Sequence, residues 1–171
     1  MSDRDDYTSE IRPGERVLDR NPASADDARI CFIGEIRTPW GPQDCPRNIG
    51  SARQSGQGAR IELIEGMGEG LEGLAPGQPL VVLYWMDRAR RDLILQAPRH
   101  TEAPRGTFAL RSPNRPNPVA MSVVLIVSID ARAGVIEIDA LDCFDRTPVV
   151  DLKPWHASID SPAELPSGRN P

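Results

Sequence analysis

Lysine is all but missing from these 171 residues: Lys153 stands alone, and the other basic residues are arginines. A GC-rich coding sequence produces that bias, and so does selection for planar, bidentate contacts to phosphate or carboxylate. Composition alone does not separate the two. Net charge is −5, which excludes a protein that coats nucleic acid nonspecifically. Cysteine and histidine are scarce as well. Cys31, Cys45 and Cys143 are far apart, form no C-x-x-C, and have only His100 and His156 for company. That spacing offers no four-ligand zinc site and no dense disulfide framework. The thiols therefore read as reduced, in a cytoplasmic protein, with Cys31 and Cys143 as small core residues amid apolar neighbours.

Long apolar runs are also lacking. No stretch approaches the roughly 20 residues of a membrane span, and the acidic, polar start Met1–Glu10 is unlike a secretory signal. Nor is there a Gly-x-x-x-x-Gly-Lys-Ser/Thr cradle, or a Gly-x-Gly-x-x-Gly after a strand, so a doubly wound nucleotide-binding fold is not expected.

What is present is turn-forming residues. Proline (17) and glycine (14) exceed average usage, which disfavours long helices and favours short strands with frequent turns. Strands are expected at Arg29–Ile36, Ala59–Ile64, Leu80–Trp85, Thr107–Leu110, Ser122–Ile129, Val135–Leu141 and Val149–Leu152. Arg60–Leu63 and Val135–Asp139 alternate as strands buried on one face do. Leu80–Trp85 and Val123–Val127 are continuously apolar and are expected to pass through the core. Seven short strands predict an all-β, mainly antiparallel barrel or sandwich. The composition predicts an acidic flexible arm over 1–27, a domain over 28–157 and a Pro-rich tail over 158–171. Thr38–Gly58 reads as a long Pro/Gly loop of the kind that carries function. Gly66–Gly77 reads as a connector with about one helical turn.

Three segments can carry chemistry. Cys45-Pro-Arg-Asn48 lies in the long loop. Arg111-Ser-Pro-Asn-Arg-Pro-Asn-Pro118 is stiffened by three prolines, so Arg111, Asn114, Arg115 and Asn117 project from a preset geometry, as in a binding loop or a solvated crossing. Leu141–Trp155 gathers Asp142, Asp145 and Asp151 beside Arg146 and Lys153, either an acid–base pair or an ion-pair network. Phe144 and Trp155 are positioned to add cation–π contact, and Trp85-Met86-Asp87 ends an apolar strand. Residues 88–115 hold seven arginines against Asp92 and Glu102, a local +5 inside an acidic chain. Such an island suits a directed polyanion footprint.

These segments resemble the TsaA/TrmO (YaeB-like) family. Ile33-Gly-Glu-Ile-Arg-Thr-Pro-Trp40 is similar to its opening strand and turn, and Arg111–Ser122 to its R-S-P-x-R-P-N-P-I-G-x-S signature. Asp142–Trp155 is similar to its D-x-x-D-G-T-P-V-x-D-I-K-P-Y. The resemblance covers about 33–156. It implies a single β-barrel, S-adenosyl-L-methionine-dependent methyltransferase, not Rossmann-like, working as a homodimer with the cofactor near the subunit interface. It implies N6 methylation of threonylcarbamoyladenosine at position 37 in a tRNA anticodon loop. It places cofactor contacts at Pro46, Arg47 and Asn48, at Trp85, Met86 and Asp87, at Arg111, and at Asp142, Cys143, Phe144 and Asp145. Asp142, Asp145 and Arg111 become catalytic candidates, Arg115, Asn117 and Lys153 substrate contacts, and no metal is implied. Methylation of another RNA or a small molecule, or cofactor binding without catalysis, are the competing readings. Asn48 stands for the motif's Gln, Met86-Asp87 for His-Gln and Ala120 for Gly. Arg146 stands for a glycine, so any positive φ there is strained.

Overall fold

The computed structural model describes residues 10–99 and 101–162. His100 and the outer parts of both terminal segments lie outside that range. Nine strands follow in chain order: β1 (Arg16–Val17), β2 (Gly34–Arg37), β3 (Ala59–Leu63), β4 (Pro79–Trp85), β5 (Leu93–Gln96), β6 (Arg105–Gly106), β7 (Val119–Asp130), β8 (Val135–Ile138) and β9 (Thr147–Pro154). Six of them close into an antiparallel barrel in the order β2-β3-β8-β7-β4-β9, and β1-β5-β6 form a small separate sheet. The mainly antiparallel barrel expected from the sequence is present.

Alternation explains the barrel. Ile36 on β2, Ile61 on β3, Leu80 and Val82 on β4, Val124 and Ile126 on β7, Ile136 and Ile138 on β8 and Val149 on β9 all point inward and are fully or nearly fully buried. Each such aliphatic side chain contributes about 1.5–3 kcal/mol through burial. Gly34 is needed where β2 crosses β3: a Cβ there would collide with the Glu62 carbonyl oxygen and the Leu63 Cα.

Several expectations need correction. Val123–Val127 does not run wholly through the core. Val124 and Ile126 face inward, while Val123, Leu125 and Val127 are exposed on the barrel's outer face, because a closed barrel leaves one side of each strand outside. The first strand is shorter than Arg29–Ile36 and begins at Gly34, leaving Cys31 exposed rather than in the core. Thr107–Leu110 is not a strand: Thr107–Ala109 forms one 3-10 turn. Buried Thr107 donates from its hydroxyl to the Leu93 carbonyl (2.9 Å) and accepts from the Gln96 side chain (2.9 Å). Part of the segment expected to be an arm is paired, since β1 hydrogen-bonds to β5. Glu15 beside it accepts from Arg12 and from the Ala97 amide (3.1 Å). The strand β5 was not anticipated, being four residues long and lacking alternation. Inside the long Thr38–Gly58 loop sits a helix, α1 (Ile49–Gln54), capped by Asn48, whose side chain accepts from the Ser51 amide at 2.8 Å. The Gly66–Gly77 connector does contain one turn, Gly68–Leu71.

Candidate functional site

The three sequence segments converge at one end of the barrel. Trp40, at the start of the long loop, holds that loop against the third segment: its indole N–H donates to the Leu141 carbonyl (3.0 Å), and its own carbonyl accepts from the Asp145 amide (2.9 Å). The Thr38 hydroxyl donates to the Cys143 carbonyl at 2.8 Å. The opening Thr-Pro-Trp turn thus pins the Asp142–Asp145 turn. Across from it, the Pro-rich loop runs from Arg111 into β7.

Between them lies a cleft of about 670 Å³, bounded by Pro46, Arg47, Asn48, Met86, Arg111, Arg115, Asp142 and Phe144 among the expected residues. Its size falls within the range of small-molecule sites. A second, smaller cavity of about 170 Å³ shares Met86, Pro113 and Phe144 with it and adds Asp87, Arg88 and Thr147.

Asp142 is the chemically distinctive residue. Its Oδ1 is buried without a hydrogen-bond partner. Burial holds its pKa above the ordinary carboxylate value, opposed by its own backbone amide, Arg111 and Arg53. Arg111 is anchored by a 2.6 Å bond to the Met121 carbonyl. Tyr84 and Ser122 share a 3.1 Å hydroxyl–hydroxyl bond on the barrel wall of the cleft. Burial raises the Tyr84 pKa, so it serves as a neutral hydroxyl. Burial also pushes the half-buried Cys45 thiol up to about 11, with Asp142 and Asp44 adding to the rise. This is no activated nucleophile.

The remaining expected residues divide. Asp145 lines neither cavity. It is held by Arg37, whose Nε donates at 2.8 Å, and by the Thr38 amide at 3.2 Å, so it braces the turn. Cys143 is fully buried in the core, where burial raises its pKa. Arg115 donates to the Thr107 and Leu110 carbonyls (3.1 and 2.8 Å), stapling its own loop, while its Nε is buried without a partner. Asn117 accepts from Arg91 at 3.2 Å and stands outside the cleft. Trp85 packs against Phe32 (ring centroids 6.4 Å apart) and under the Arg91 guanidinium (5.3 Å). Lys153 pairs with Asp151 and is not brought to the cleft. Asp151 and Pro154 beside it line a different cavity. Cys45, from the first of the three segments, lines the cleft too, as do Tyr84, Met121, Ser122 and Ile49, which the sequence reading does not single out as site residues. Met121 and Ser122 lie inside the quoted R-S-P signature, and Tyr84 is the one hydroxyl in the apolar run of β4, so some signal for them existed. Among the described residues, no group of three or more His, Cys, Asp or Glu side chains is placed to hold a metal ion. No helix among them is long and apolar enough to cross a membrane.

A closed antiparallel barrel with an arginine- and carboxylate-lined cleft at one end defines a small-ligand-binding barrel domain, distinct from the doubly wound nucleotide folds. The sequence profile of the tRNA-methyltransferase O N-terminal domain matches residues 35–161, and the chain belongs to that family. It is 39% identical over 133 residues to a probable S-adenosyl-L-methionine-binding protein of Archaeoglobus fulgidus, covering 75% of this chain and 34% of the relative. It is 28% identical over 138 residues to the mouse tRNA (adenine(37)-N6)-methyltransferase, covering 79% and 30%. The crystal structure of TrmO from Pseudomonas aeruginosa superposes with a TM-score of 0.62 at 25% identity, covering 84% of this chain and 63% of that one. The chain thus spans about a third of these two curated relatives.

S-adenosylmethionine carries an amino acid end, a sulfonium and an adenine ring, and the cleft has matching chemistry. The partnerless Asp142 oxygen suits an ammonium or sulfonium, Arg111 and Arg47 suit a carboxylate, and Met86 and Phe144 suit a ring.

Proposed function

We propose that the cleft binds S-adenosyl-L-methionine and that the chain methylates N6 of adenosine 37 in tRNA, threonylcarbamoyladenosine being the form accepted. The observation that carries this reading is Asp142, a carboxylate with one buried, partnerless oxygen that lines an arginine-bearing cleft in a member of this family. When bound, the cofactor supplies a methyl group activated by its sulfonium charge. Arg111, fixed on the Met121 carbonyl, and Arg47 hold the carboxylate end. The apolar walls exclude water, so alignment of donor and acceptor supplies most of the rate. Asp142 balances the cofactor's positive charge. With its charge matched to that of the bound cofactor, Asp142 would also stand ready to accept the proton that N6 must shed when it gains a methyl group. Asp145, occupied by Arg37 and Thr38, braces this arrangement.

The chain acts as a homodimer in this reading. Met121, Val123, Leu125 and Val127 form an exposed apolar stripe along β7, and Met121 also lines the cleft. A second copy seated on that stripe covers apolar surface that a monomer leaves wet and closes the cleft from that side.

Mass spectrometry of tRNA nucleosides from a deletion strain tests the acceptor. Loss of N6-methylated threonylcarbamoyladenosine, restored by wild type but not by Arg111→Ala, is expected; an unchanged nucleoside would sink the tRNA assignment. A second reading, cofactor binding without catalysis, is favoured by the Archaeoglobus relative, which is described only as a probable S-adenosyl-L-methionine-binding protein. Release of S-adenosylhomocysteine dependent on any RNA excludes it.

A further inference from the structure

The barrel wall is split beside the cleft. β7 pairs with β4 from Val119 to Leu125, yet its register with β8 begins only at Ile126. The Pro118 and Ile126 carbonyls accept from the Met86 and Gly77 amides at the two ends of β4. Backbone alternation therefore turns the carbonyls of Met121, Val123 and Leu125 to the open side. Side chains close that gap. The Met121 carbonyl accepts from Arg111 (2.6 Å) and the Val123 carbonyl from Arg53 (2.9 Å). Asp139, one residue past β8, donates from its amide to the Leu125 carbonyl (3.0 Å). Its carboxylate accepts from the Leu125 amide (2.8 Å) and from Nε of Arg53 (2.7 Å).

Each group that Arg53 holds leads to the cleft. Arg53 itself stands in the last turn of α1, whose cap Asn48 and preceding Pro46-Arg47 form the rim. Val123 is two residues from the Met121 carbonyl that anchors Arg111. Asp139 is three residues before Asp142, and the intervening Ala140 and Leu141 are fully buried, so a shift at one is passed to the other. Burial raises the Asp142 pKa, and Arg111 and Arg53 act against that rise. Arg53 does not line the cleft. From this we infer that Arg53 is the positioning residue of the cleft: clamped on Asp139 and the Val123 carbonyl, it fixes the Pro46–Asn48 rim relative to Arg111 and Asp142. It acts through those groups on the amino-acid end of the ligand, not on the ligand itself. The inference rests on the cofactor-binding reading above and adds a residue outside the cleft to it.

The test titrates the full chain with two ligands by calorimetry. One is S-adenosylhomocysteine; the other is 5′-methylthioadenosine, which keeps the nucleoside and the sulfur but lacks the amino-acid end. Arg53→Ala is expected to weaken S-adenosylhomocysteine about tenfold, the middle of the range for coupled neighbours. Its affinity for 5′-methylthioadenosine should stay within about twofold of wild type. Asp139→Asn keeps an oxygen for the Leu125 amide but turns an N–H towards Arg53, and should give the same pattern. The double variant should bind no more weakly than either single one, because both break one clamp. Arg53→Lys keeps the charge, but a point donor cannot span both acceptors, so it recovers only part of the loss. Arg132→Ala, exposed on the β7–β8 turn, controls for net charge and should bind as wild type. A residue that merely supports the fold would loosen the whole cleft, so equal losses for both ligands overturn the inference. Unchanged S-adenosylhomocysteine binding in Arg53→Ala or Asp139→Asn, additive losses in the double variant, or full recovery with Arg53→Lys overturn it too. In each of those cases binding by wild type leaves the cofactor reading standing. A wild-type chain that does not bind S-adenosylhomocysteine overturns both.

Discussion

Asp142→Asn should make this protein more stable and less able to hold its ligand. The buried Oδ1 has no partner; the amide of Asn leaves that position unsatisfied too but removes the buried charge, and the desolvation so relieved is worth about 1–3 kcal/mol. Asp142 is partly exposed, which argues for the lower end, about 1 kcal/mol, or a rise in melting temperature of about 2–4 °C for a domain of this size. The pH dependence has a definite sign. Burial raises the folded-state pKa of Asp142 above its ordinary 3.8. Protonation therefore favours the folded chain, and the penalty of the charged form fades as pH falls from the raised value towards 3.8. The melting-temperature gap between Asp142→Asn and wild type is thus largest at neutral pH and shrinks on acidification. Other carboxylates affect both proteins alike and cancel in the difference. Losing a charge-assisted contact of about 1.5–3 kcal/mol weakens S-adenosylmethionine binding by about ten- to a hundredfold. Scanning fluorimetry over pH and calorimetry with the cofactor measure both. An Asp142→Asn chain that melts lower at neutral pH, or binds the cofactor as well as wild type, refutes the reasoning.

Asn48→Ala removes the cap of α1 and should cost about 1 kcal/mol in a urea melt, with a modest secondary loss of cofactor affinity as Pro46-Arg47 loosens. An unchanged melt with a large affinity loss would make its amide a direct contact. Leu125→Asp with Val127→Asp should shift the sedimentation coefficient from dimer to monomer while leaving the circular dichroism spectrum intact, since both side chains face outward. Gly34→Ala forces a Cβ into the backbone of β3 and should destabilise the barrel by about 1–3 kcal/mol, the usual range for overpacking, seen as a lower denaturant midpoint. Arg37→Ala releases the Asp145 carboxylate. Faster amide exchange across 142–146 is expected, with any loss of cofactor affinity smaller than that of Asp142→Asn.

Much of the barrel was legible in the chain. Arg60–Leu63 and Val135–Ile138 alternate because one face of each strand is wet, and period-2 patterning reports that directly. Val123–Val127 misled because a strand whose outer face is also apolar reads the same as one buried on both sides. Only the closed topology shows that Val123, Leu125 and Val127 are outside. The six-residue α1 was hidden within a Pro/Gly-rich stretch, though Asn48 three residues before Ser51 is an ordinary capping signal.

For the site, local sequence determined the parts. Prolines stiffened the Arg111–Pro118 loop, an Asp-rich turn followed β8, and Arg146 stood at a turn position whose φ proves to be positive, 65°. The tertiary structure decided which carboxylate is available. Asp142 and Asp145 are equivalent on paper, three residues apart in one turn. Folding brings Arg37, 108 positions away, onto Asp145 and nothing onto the Oδ1 of Asp142. It likewise carries Lys153 away from the cleft along β9 and sets Arg88 over Phe144. Such pairings are contacts between segments distant in the chain. Their energies depend on closure of the barrel, which no local pattern of residues encodes.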